Sequence, residues 1–76
     1  MRDEQIANIL SRESEEFRKL SDEHKHLDTQ LLDMSVKHHL TADEEVEKKR
    51  LQKMKLLKKD RMAEIIRVYK KEHSIH

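Results

Sequence analysis

Cysteine, proline, glycine and tryptophan are all absent from this 76-residue chain, and it has one tyrosine and one phenylalanine. Without cysteine there is no disulfide framework and no thiolate metal site; a reducing compartment is compatible with that composition. The lack of glycine removes phosphate-cradling loops and nucleophile elbows, and with proline also missing most tight hairpin turns go too. No apolar run approaches the ~20 residues that span a bilayer. The opening "MRDEQIANIL" lacks the unbroken apolar segment of a secretory leader, so the expected address is the cytoplasm, with no membrane partner.

What remains is charge and helix-forming residues. Charged side chains make up 43% of the chain, and the apolar remainder is mostly Leu, Ile and Met, the mix of long exposed helices and coiled coils. The net charge of +1 hides an asymmetry: residues 1–40 hold 6 basic and 9 acidic groups, residues 41–76 hold 11 and 7. A chain this short seldom builds a sufficient core alone, which points to self-association.

Stepping alternately four and three residues from Ile6 gives Leu10, Glu13, Phe17, Leu20, His24, Leu27, Leu31, Met34 and His38. Most of these are apolar, so an amphipathic helix with a narrow coiled-coil seam is expected over about 4–38, with Asp3 as its N-cap. Then comes "KHHLTADEEVE", where Thr41 followed by Glu44 is a capping box and Asp43 to Glu45 place negative charge in a first turn. A turn is therefore expected at about 39–41, a second helix at about 42–71 and a frayed tail at 72–76. With no glycine to turn the chain, His39 is the residue expected in the left-handed region. One continuous helix is the competing reading, disfavoured by the strong cap at Thr41.

On the second helix Val46, Leu51, Met54, Leu57, Met62, Ile65, Ile66, Val68 and Tyr69 spread over an arc of roughly 200°, wider than one partner helix covers. The expected fold class is therefore all-α: a two-helix antiparallel coiled-coil hairpin, assembling into a dimeric four-helix bundle. Met54, Leu57, Ile65 and Val68 are the residues expected at a contact with a second copy or an unidentified protein partner.

The residues also resemble a known family of small bacterial proteins, the YdcH-like family. Phe17, Leu20, Glu23, His24, Leu27 and Asp28 match its F-x-x-L-x-x-E-H-x-x-L-D arrangement. Glu45 and Val46, then Leu51, Lys53, Lys55, Leu56, Lys59, Asp60 and Met62, match a second run, so the likeness covers most of residues 17–66. It departs at Lys58, where the family leads one to expect an apolar side chain. The resemblance implies a helical hairpin; it carries over no activity, no cofactor and no catalytic residue.

Three candidate sites follow. In the first, His24 interrupts the apolar seam with Asp28 one turn on, and Lys58 and Arg61 fall inside the apolar arc of the second helix, opposite Glu23 and His24. Glu23, His24, Asp28, Lys58 and Arg61 are read as a polar layer that sets register, ahead of a pH sensor or a metal or catalytic role for His24. The second is metal: His24 and His38 stand about 21 Å apart along a helix and cannot share an ion within one chain, while the adjacent His38 and His39 face different directions. The third is the basic run "KKRLQKMKLLKKDR", eight cations against Asp60, in which Lys48, Lys49, Arg50, Lys53, Lys55 and Lys59 form an alternative nucleic-acid face. With one Tyr and one Phe there is little for bases to stack on, and the plainer expectation is that these cations lie along the acidic first helix. No nucleophile is paired with an oriented base at a recognisable spacing, so an enzyme is not expected.

Overall fold

The computed structural model describes residues 2–37 and 39–73, and these form three helices in place of the two expected: α1 (Asp3–Glu13), α2 (Glu15–Ser35) and α3 (Ala42–Glu72). No strand occurs among the described residues.

The helix expected over 4–38 is broken at Ser14, which takes an extended conformation and caps α2 by accepting a hydrogen bond from the Phe17 amide at 3.1 Å. The break has a packing cause. Continuous four-three stepping would hold Glu13 on the seam; interrupting the helix lets Glu13 face water while Ile6, Leu10 and Phe17 come together in one buried cluster. Glu15 and Glu16 then supply negative charge at the new N-terminus, where the helix dipole favours it. At the start of α1 the capping residue is Arg2, not Asp3; the Arg2 amide donates to Gln5 Oε1 at 3.0 Å and Asp3 lies within the first turn.

Thr41 caps α3 as expected, with both arms of its box formed: Glu44 N donates to Thr41 Oγ1 and Thr41 N to Glu44 Oε1, each at 3.1 Å. The connection is longer than expected, because α2 stops at Ser35. Spread over 36–41, the reversal puts no described residue at positive φ, so the left-handed role expected of His39 is not used. His38, the expected end of the first helix, lies outside the described residues, as do 74–76 of the expected tail. Glu72 belongs to α3, and the His73 ring stacks on the Tyr69 ring with centroids 3.9 Å apart.

The arm made of α1 and α2 runs back along α3 in the opposite direction. Successive ion pairs mark its course: Asp28 with Lys55, Glu23 with Lys58, Glu16 with Arg61 and Asp3 with Lys70. The result is a rod with extents of 54 × 19 × 17 Å. Its core is small and uneven. Ile6, Leu10 and Phe17 pack against Met62, Ile65, Ile66 and Tyr69 at the end far from the turn, whereas Leu27 and Leu51 are the buried residues nearer to it.

Candidate protein-interaction surface

The arc of α3 divides in the structure. Leu51 is buried and Met54, Met62, Ile65, Ile66 and Tyr69 are half-buried, but Val46, Leu57 and Val68 face solvent. These three are spaced by 11 residues, close to three full turns, so they fall on one line along a flank of α3, where Leu57 adjoins Leu20 of α2 and Val68 adjoins Leu10 and Glu16. Of the four expected contact residues, Leu57 and Val68 are exposed, at 58% and 46%, and Met54 is half-buried beside Leu20 and Leu57. Ile65 packs mainly into the internal cluster with Ile6 and Phe17.

Leu32, Val36 and Leu56 are exposed apolar residues outside the arc and seam expected from the sequence. Leu32 and Leu56 line an open groove of about 680 Å³ between α2 and α3, with Lys48, Lys55 and Lys59 along its α3 side. Their signal was present in the spacing: Leu31–Leu32 and Leu56–Leu57 are adjacent leucines 100° apart on a helix, and one seam cannot bury both members of such a pair.

The five residues expected in one polar layer are drawn into separate pairs. Lys58 meets Glu23 at 3.2 Å, as expected, with its stem lying along the seam and its ammonium reaching the edge. Arg61 instead reaches Glu16 at 3.2 and 3.3 Å and also approaches Glu64 at 3.4 Å. The Glu16 hydrogen bond and charge push the Arg61 guanidinium above its ordinary value. Asp28 is taken by Lys55, whose hydrogen bond and charge hold the Asp28 carboxyl below its usual range. His24 is left half-buried, with its Nε2 shielded from water and without a hydrogen-bond partner among the described residues.

The basic run is partly consumed by similar pairing. Arg50 donates to Glu47 at 3.0 Å and is raised above its usual value by that bond, while Lys55 binds Asp28. Lys48, Lys49, Lys53 and Lys59 form no ion pair among the described residues. His26 and His39 are exposed, and no group of three potential metal ligands comes together among the described residues. No described helix is long and apolar enough to cross a membrane.

The connection holds one further interaction that spacing alone did not suggest. Lys37 binds Glu44 across the turn, and together with the Thr41 amide it brings the Glu44 carboxyl from 4.5 down to about 2. The acidic first turn of α3 is thereby tied both to its own cap and to the chain leaving α2.

No family model, curated protein or solved structure matches the chain.

Proposed function

We propose that the chain is a small non-enzymatic interaction module. In this reading the three helices act as an antiparallel coiled-coil hairpin, interrupted at Ser14, that pairs with a second copy into a dimeric four-helix bundle and meets a partner protein through helix faces. The likeness to the YdcH-like hairpins and a cytoplasmic setting belong to the same reading.

The observation that carries it is the exposure of Leu57 and Val68 along one flank of α3, with Met54 half-buried beside Leu57. An apolar line of this kind, bounded by charge, is what helix-in-groove and bundle contacts use, and Met54 gives it an adaptable edge. The grooves on either side of the α2–α3 seam are open and lined by leucines and charged side chains, a geometry suited to docking.

Light scattering over a dilution series into the micromolar range tests the pairing. A dimer is expected, shifting toward monomer in Leu57→Ser with helix content unchanged. A strict monomer at every concentration rejects the pairing.

Lys48, Lys49, Lys53 and Lys59, which have no ion-pair partner among the described residues, favour a second reading, nucleic-acid binding along the basic face of α3. A mobility shift with duplex and single strands that weakens with salt is its expected signature, and no shift at low salt rejects it.

A further inference from the structure

We infer that the groove between Leu32 and Leu56 is a docking site for an acidic amphipathic helix of a partner protein. The inference rests on the interaction-module reading and assigns it a second face, separate from the Leu57 and Val68 line.

The floor is apolar and uncovered: Leu32 is 65% exposed and Leu56 57%, facing each other across an open groove of about 680 Å³. Its α3 edge is a row at steps of four, three and four, from Lys48 through Gln52 and Lys55 to Lys59, about 16 Å long. Asp28, the carboxylate lining the groove, is already bound by Lys55. Lys48 and Lys59 thus leave positive charge at both ends of the floor, with no ion pair to either among the described residues.

Charge selects among the occupants. A second copy seated about a two-fold axis crossing the rod would bring the lysine edge against its own image, where like charges oppose binding; an axis along the rod would set it against an α2 edge whose lining carboxylate, Asp28, is already bound by Lys55. Nucleic-acid phosphates would satisfy the lysines and leave both leucines in water. A helix with an apolar stripe flanked by Glu or Asp covers the leucines and meets Lys48 and Lys59 across three turns, completing a three-helix layer over the α2–α3 seam. Because Leu56 and Leu57 are 100° apart, this groove and the proposed self-association face can be broken independently.

The test uses the full chain and two synthetic helices with the same leucines at i, i+3, i+4 and i+7, one flanked by Glu and the other by Lys, read by fluorescence anisotropy. The Glu-flanked helix is expected to bind at least about tenfold more tightly than the Lys-flanked one. The Lys48→Glu/Lys59→Glu pair and Leu56→Ser should each weaken it at least about tenfold, Lys48→Gln/Lys59→Gln should weaken it less, and Leu57→Ser should leave it unchanged, all with wild-type helix content by circular dichroism. Failure to bind the Glu-flanked helix overturns the proposal, as does equal binding of both helices. Conversion of a dimer to monomer by Leu56→Ser would show a second copy in the groove. DNA binding lost in the charge reversal but not in Leu56→Ser would show a phosphate site. Either of these two outcomes also overturns it. A dimer that ignores the acidic helix defeats this proposal alone, whereas a strict monomer that binds it defeats only the self-association reading.

Discussion

The two halves of the rod use their apolar residues in opposite ways. Far from the turn, Ile6, Leu10 and Phe17 are sunk against Met62, Ile65, Ile66 and Tyr69, and Ile6 and Phe17 are almost entirely shielded. Near the turn Leu27 and Leu51 are buried, while Leu32, Val36, Val46, Leu56 and Leu57 face water. Cohesion is therefore concentrated at one end, and most of the area available for contact at the other, with Val68 the exposed apolar residue of the distal end. The break at Ser14 is part of the difference, since it is what allows α1 to place Ile6 and Leu10 beside Phe17. The turn-proximal half is held more by caps and ion pairs: Thr41 with Glu44, Lys37 with Glu44, and Asp28 with Lys55. Exposed pairs contribute only ~0 to 1 kcal/mol each, so they specify alignment more than they hold the helices together.

Side-chain truncation gives the largest contrast. Phe17→Ala should cost about 3 to 5 kcal/mol, enough to unfold most of a chain of this size, whereas Leu32→Ala should change stability by less than about 0.5 kcal/mol in the same urea titration. Comparable losses at the two sites would mean that the turn-proximal leucines are packed no less firmly than the distal core.

His24→Leu comes next and should act in the unusual direction. Removing a shielded ring nitrogen that lacks a partner should raise stability by about 1 kcal/mol and admit additional oligomers or registers, read by melting and by light scattering. Lower stability with an unchanged oligomeric state would reject the register role.

Thr41→Ala should cost about 1 kcal/mol through loss of the cap, and an equal effect of Ser14→Ala would show that the second break is as firmly specified as the first. The smallest effect is on pH. Because the Glu44 carboxyl is lowered from 4.5 to about 2, its contribution is fully present above about pH 4.5 and is lost as the pH falls through 2. Glu44→Gln should flatten that part of an acid titration, and an unchanged profile would mean that Glu44 does not help to hold the turn.

How far these features were legible in the sequence depended on whether the signal was local. The Thr41 cap needed only Thr41 and Glu44, and both arms of it form. Ser14 carried a similar signature, a capping residue before Glu15 and Glu16, yet a seam drawn through Glu13 and His24 hid it, because a regular heptad tolerates occasional polar positions. Lys58 found Glu23 as expected, but Arg61 went to Glu16. The part of α2 opposite Arg61 offers Lys19 and Leu20, so its long side chain turns to the nearest carboxylate one turn away. Such choices depend on the reach of side chains across two helices, which periodicity along one helix does not encode. The surplus apolar width of α3 was legible, but its division between the Leu57 line and the Leu56 groove depended on which side α2 covers.

Amide hydrogen exchange, resolved along the chain and measured at two protein concentrations, tests the contrast between the halves most directly. Protection around Ile6 and Phe17 should be high and independent of concentration, while protection over 27–35 and 46–57 should be lower in dilute solution and rise as the protein is concentrated. Uniform protection of both halves at both concentrations would contradict the account.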